Sequence, residues 1–183
     1  MSEPETQATS AGQEISGPQG SPFWRFSLRF YRQPGVADAC IALQDGAGVD
    51  VNLLLFLLWQ STLKRTLSAS EVEGIEQRIG PWRQTTVVAL RTLRRALKTS
   101  PTLVAPEAAE LFRIRVKAVE LEAERLQQEA MFELTRSSPL GREAASTQEA
   151  ARANVASYAT AAHASFPQSA VETVLAALAQ ISV

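Results

Sequence analysis

Val51-Asn52-Leu53-Leu54-Leu55-Phe56-Leu57-Leu58-Trp59 is the stretch whose reading decides the fold. Its strongly apolar run, Leu53 to Trp59, is far shorter than the roughly 20 residues needed to cross a bilayer. A helix that is apolar around its whole circumference has no face to offer water, so it belongs in the middle of a bundle. Asp50 stands where a side-chain oxygen can cap its first turn, and the predicted helix runs from about Val51 to Thr66.

On the N-terminal side, Asp45-Gly46-Ala47-Gly48 reads as a chain break after a short helix through Val36, Ala37, Cys40, Ile41 and Leu43. Before Pro34-Gly35, Ser21-Pro22 supplies a cap and a first-turn proline for another helix. In that helix Phe23, Phe26 and Phe30 share one face, and Arg25, Arg29 and Arg32 line the opposite one. It holds five of the twelve aromatic residues, which points to core packing in preference to a membrane-interface helix.

On the C-terminal side, Ser70 and Glu73 have capping-box spacing for a segment from Glu71 to Ile79. Gly80-Pro81 is read as an interruption, and Trp82 to Lys98 resumes with Val87, Val88, Leu90, Leu93 and Leu97 as its buried candidates. After Pro101 and Pro106, Glu107 to about Thr135 forms one long amphipathic helix. Leu111, Ile114, Ala118 and Leu121 recur there at helical spacing and mark the expected core face. Composition shifts at Ser137-Ser138-Pro139-Leu140-Gly141, and beyond it alanine dominates, with Val155, Tyr158 and Phe166 as sparse anchors. A last weak helix follows through Val171, Val174, Leu175 and Leu178. Alanine favours helix yet buries little area, so this part is expected to pack weakly.

The expected architecture is therefore all-α, a single bundle of about five to seven helices. Residues 1–20 form a disordered tail, 21–136 the bundle core and 137–183 an Ala-rich helical extension. Within 183 residues, 45% apolar and 20% charged, there is material for one substantial core. Met1 to Gly20 has three acids, no Lys or Arg and no apolar stretch, unlike an export signal. The expectation is a soluble cytoplasmic protein with a reduced thiol.

Charge and rare residues narrow the chemistry. Eighteen basic against nineteen acidic residues leave a net charge of −1, which excludes a globally basic nucleic-acid binder. Cys40 is the only cysteine and His163 the only histidine, so multi-cysteine and multi-histidine metal sites cannot form within one chain. Cys40 reads as a buried inert thiol, and His163, between Ala162 and Ala164, as a partly exposed imidazole. No metal, cofactor or catalytic residue is assigned.

Phe23-Trp24-Arg25-Phe26-Ser27, Tyr31, Pro34-Gly35-Val36, Ala39-Cys40, Leu43-Gln44-Asp45, Gly48 and Asp50 to Phe56 with Trp59 together resemble a family of bacterial conserved hypothetical proteins, a domain of unknown function. The resemblance is dense from Phe23 to Trp59 and continues more loosely to about Leu134. It implies a bacterial helical protein and supplies no catalytic residue.

Two constellations stand out. Gln44, Asp45, Asp50 and Asn52 flank the glycine-containing stretch that feeds a helix N-terminus, an arrangement able to hold an anion or a hard cation. It matches neither an EF-hand nor a phosphate loop. The competing reading makes both Asp residues helix caps, with Asn52 in a core network reaching Asp38, Gln44, Arg25 or Arg29. Arg91, Arg94, Arg95 and Lys98 share a helix face between Trp82 and Pro101, which contains no acid. That face could meet phosphates, or pair with the neighbouring helix, whose residues 107–136 hold seven Glu and five basic residues.

The preferred function is a non-enzymatic interaction or adaptor protein that binds an unidentified protein partner through a face of the bundle or the long charged helix. The first alternative is a small-molecule-binding protein or enzyme using the Asp45 to Asn52 stretch. The second is nucleic-acid binding by the Arg91 face. Homo-oligomerisation is left open.

Overall fold

A computed structural model describes residues 20–99, 104–137 and 139–181, so the tail expected over residues 1–20 lies outside the described residues apart from Gly20. Those residues form an all-α bundle with one minor two-stranded ladder. Helix α1 spans Pro22–Tyr31, α2 Val36–Ala47 and α3 Val51–Thr62. Strand β1, Arg65–Thr66, is followed by α4, Ala69–Trp82, a π-helical segment, Arg83–Val88, and α5, Ala89–Ala96. Next come α6, Pro106–Ser137, β2, Arg142–Glu143, α7, Thr147–Ala161, and α8, Gln168–Gln180.

Helix α3 is the axis of the bundle, with every residue from Asn52 to Ser61 buried. Phe23 of α1 stacks on Trp59, their centroids 5.4 Å apart, and meets Phe56 edge-on at 5.3 Å. The caps at its entry and at that of α1 are as the sequence implies. Asp50 Oδ1 accepts the Asn52 N–H at 2.9 Å, and Ser21 Oγ accepts the Trp24 N–H at 3.1 Å.

Three local expectations change. Asp45, Gly46 and Ala47 stay helical and the break falls at Gly48 alone, whose φ of 67° is a left-handed conformation that glycine adopts without strain. The capping box is Ser68 with Glu71, two residues earlier than predicted, and places the start of α4 at Ala69. Gly80-Pro81 does not stop the helix. Pro81 lacks an N–H, and the chain answers with the π segment; there the Thr85 hydroxyl donates to the Pro81 carbonyl at 2.8 Å.

The Ala-rich segment is not weakly packed. The most extensive helix contact is α3 against α7, followed by α2 against α8, and Ala151, Val155, Tyr158, Val174 and Leu178 belong to the common core. The small side chains that lower buried area per residue also let two helix axes come close, so α7 lies directly on α3. Asn154, at the centre of that contact, is fully buried. Its Oδ1 accepts the Leu67 N–H at 2.7 Å, while Nδ2 faces Leu57 O at 3.0 Å, Arg65 O at 2.9 Å and Ser61 Oγ at 3.0 Å. One side chain thereby ties α7 to the end of α3 and to β1.

Helix α6 also turns a different face inward than its sequence suggests. Ala109, Val116, Glu120, Ala123, Gln127 and Met131 are buried, whereas Leu111, Ile114 and Leu121 are 60%, 51% and 50% exposed. Phe112, Val119 and Leu126 are exposed as well. The inward seam is small and polar because its neighbour α5 presents arginines, not leucines. In α5 and the turn after it, Leu93 is exposed and Leu90 and Leu97 are half-buried; of the five residues expected to be buried, only Val87 is.

Candidate functional site

The structure divides the residues expected to act together between two separate clusters. The first is centred on Asp50 and lies in the core. Besides capping α3, Asp50 accepts hydrogen bonds at Oδ2 from Gln127 Nε2 at 2.7 Å and from Arg83 Nη1 at 3.2 Å. Its backbone N–H donates to the Tyr158 hydroxyl at 2.8 Å. The π segment begins at Arg83, and the guanidinium there bridges Asp50 and Glu76. Burial, reinforced by the nearby Asp50 charge, pushes the Tyr158 phenol well above its ordinary range and keeps it neutral.

Asn52 sits two residues further on, and its Oδ1 accepts from Gln128 Nε2 at 2.7 Å. Of the partners expected for it, Gln44 is engaged elsewhere, Arg25 donates to the Gly20 carbonyl at 2.7 Å and Asp38 is exposed. The amides that complete this network, Gln127 and Gln128, were missed because they sit among charges on a helix that reads as solvated.

The second cluster joins Gln44 and Asp45 to the basic face of α5. Arg91 Nε donates to Glu120 at 3.0 Å, Nη2 to Glu124 at 2.6 Å and Nη1 to Gln44 Oε1 at 2.6 Å. Arg94 also bonds Glu120, through Nε and, at 3.2 Å, Nη2. Arg95 lies 3.6 Å from Asp45 with both side chains exposed, and Lys98 is exposed with no acidic partner among the described residues. The face that resembled a phosphate grip thus commits Arg91 and Arg94 to carboxylates within the fold, which satisfies their charge internally.

The two glutamates of this cluster are tuned apart. Burial works to raise Glu120, but the hydrogen bonds from Arg94 and Arg91 outweigh it and hold its carboxyl below the usual range. At Glu124 burial wins over Arg91, and the Glu120 charge adds to it, so that carboxyl is raised. A lowered carboxyl stabilises the fold above its ordinary range near 4.5 and loses that contribution as the pH falls. A raised one has the opposite slope. Urea unfolding of wild type and Glu120→Gln should therefore show a stability gap that is widest above this range and closes as acid protonates Glu120. A gap that stays constant from neutral to acid pH would mean the charge of Glu120 plays no part.

Cys40 is fully buried in α2, and burial pushes its thiol up to about 12, leaving almost no thiolate at neutral pH. His163 is exposed at the C-terminal end of α7 with φ of 49°. Among the described residues, no three His, Cys, Asp or Glu side chains converge as a metal site requires, and no helix is long and apolar enough to cross a membrane.

The described features define a helical bundle with a polar network locked into its core and several large apolar side chains exposed on its longest helix. The chain belongs to the family described as "Protein of unknown function (DUF2390)", whose pattern matches residues 22–131. No curated protein and no solved structure matches it. The matched segment runs from α1 to Met131 in α6, and α7 and α8, with Asn154 and Tyr158, lie beyond it.

Proposed function

We propose that this protein is a non-enzymatic interaction module of the bacterial cytoplasm whose α6 face docks an amphipathic helix of a partner protein. The observation that carries this reading is the set of large apolar side chains left outward on α6, with Leu111, Phe112, Ile114, Val119, Leu121 and Leu126 all exposed. Isolated exposed leucines are ordinary, but these six fall within sixteen residues of one helix, Leu111, Ile114 and Leu121 along one side and Phe112, Val119 and Leu126 along another, with Arg115 and Glu122 between them. Leu111, Ile114, Ala118 and Leu121 stand at i, i+3, i+7 and i+10, the spacing of the seam along which one helix packs on another. Arg115, Lys117 and Lys98 are exposed without an acidic partner among the described residues, so a partner helix with acidic flanks is the electrostatic complement.

The test is affinity capture with the full chain and with Leu111→Glu/Ile114→Glu, followed by titration of the purified partner. Losing two anchors of a docking face should weaken binding at least about 30-fold, corresponding to roughly 2 kcal/mol, with helical content retained. Equal binding by both proteins, or no partner retained by either, would overturn the reading.

A further inference from the structure

The Arg91 cluster stands in the wall of an open cavity of about 390 Å³, to which α1, α2, α5 and α6 all contribute. Five cationic side chains line it, Arg91, Arg94, Arg95, Lys98 and Lys117, against two carboxylates, Glu120 and Glu124. Arg91 and Arg94 are bonded to those two carboxylates and offset them. Three cations remain. Arg95 has only the exposed Asp45 at 3.6 Å, a pairing worth little in water, and Lys98 and Lys117 have no acidic partner among the described residues. Arg95 and Lys98 come from α5 and the turn after it, and Lys117 from α6, so the surplus converges on one concave volume from two helices. Like charges around a cleft repel one another, and the cleft concentrates their field on whatever enters it. Arg94 adds direction. Glu120 takes its Nε and Nη2, which fixes the guanidinium and leaves Nη1 without a hydrogen bond among the described residues.

We propose that this cavity binds the diphosphate group of a small molecule. Arg95, Lys98 and Lys117 meet the phosphate oxygens as charges, and Arg94 Nη1 meets one as a directed donor. Two phosphates suit the site better than one, because a single phosphate carries only about −1.5 to −2 at neutral pH against three uncommitted cations. The volume, about thirteen times a water's share of the liquid, admits such a group together with some of its water. A nucleic-acid strand asks for cations spread along its track, whereas Glu110 and Glu122 lie exposed in α6 on either side of Lys117. Lys98, Lys117 and Leu121 also border the docking face of α6, so the two sites share an edge. Neither reading depends on the other, and the test below uses the protein alone.

Calorimetric titration of the full chain at low salt compares pyrophosphate, ADP and inorganic phosphate. Pyrophosphate should bind at least about 10-fold more tightly than phosphate. ADP binding more tightly than pyrophosphate assigns the source to a nucleotide, and ADP binding no more tightly assigns it to free diphosphate. Lys98→Gln/Lys117→Gln removes two exposed charges that no ion pair among the described residues uses. It should weaken pyrophosphate by at least about 10-fold and leave the melting temperature unchanged. Lys64→Gln, a charge lost outside the cavity, should bind as the wild type does. Absence of binding at millimolar pyrophosphate, equal affinity for pyrophosphate and phosphate, a loss no larger in the double variant than in Lys64→Gln, or tighter binding of a single-stranded oligonucleotide would each overturn the proposal.

Discussion

Asn154→Ala should lower the unfolding free energy by about 4 kcal/mol, a large share of what a domain of this size has to lose. The side chain is fully buried and its amide serves four groups at once. Truncation orphans the Leu67 N–H and takes one donor each from the Arg65 carbonyl, the Leu57 carbonyl and the Ser61 hydroxyl, of which Leu57 O keeps the Ser61 hydroxyl as a donor. At 183 residues such a loss corresponds to a melting temperature lower by about 10 °C. Asn154→Asp tests the same point from the other side, since it keeps the acceptor for Leu67 N–H and sets a carboxylate against the oxygens that Nδ2 now serves. A loss below about 1 kcal/mol in Asn154→Ala would show that α7 is held by its small apolar face alone.

Asp50→Ala is expected to cost a similar amount, about 4 kcal/mol, by two routes. Loss of the α3 cap accounts for roughly 1 kcal/mol. The remainder comes from Gln127 and Arg83, which both lose the buried carboxylate that accepts from them, although Arg83 keeps its ion pair with Glu76. Asp50→Asn keeps a capping oxygen while removing the charge and should fall between Asp50→Ala and wild type. A double-mutant cycle of Asp50→Asn with Arg83→Met should return a coupling above about 1 kcal/mol. Additive effects would place the stabilisation in the cap and leave the π segment without an energetic role.

What could be read from the chain, and what could not, follows from range. The start and all-round burial of the central helix, the caps at Ser21 and Asp50 and the aromatic face of α1 are written in local spacing and survive; the end of that helix does not, since α3 stops at Thr62 and Arg65–Thr66 pair with β2. Two local signals misled because a competing term won nearby. Pro81 is accommodated by a π segment instead of ending α4, and Ser68 displaces Ser70 as cap because its partner Glu71 also accepts from Gly141 N–H at 3.1 Å. The grouping of Gln44 and Asp45 with Asp50 and Asn52 failed for a geometric reason. The continuation of α2 to Ala47 and the turn at Gly48 separate the two pairs, sending one to α5 and the other into the core.

Misassignment of the α6 faces has the same origin as the functional reading. Periodicity can say that Leu111, Ile114 and Leu121 share a side, but not whether this chain or another covers it. The inward seam is recognisable only once Arg91 and Arg94 are seen to meet Glu120 and Glu124 across it. The Ala-rich segment was undervalued for a related reason: small residues carry weak burial signals individually and gain their effect from a close helix approach that requires the partner, α3, to be in view.

The most direct measurement of the claim that α6 keeps its apolar face for a partner is urea unfolding of Leu111→Glu/Ile114→Glu beside the wild type. A face left outside the fold predicts free energies within about 1 kcal/mol of each other, as for exposed sites elsewhere. A loss of 4 kcal/mol or more, the signature of charges forced into a packed core, would place these side chains inside the bundle and contradict the account.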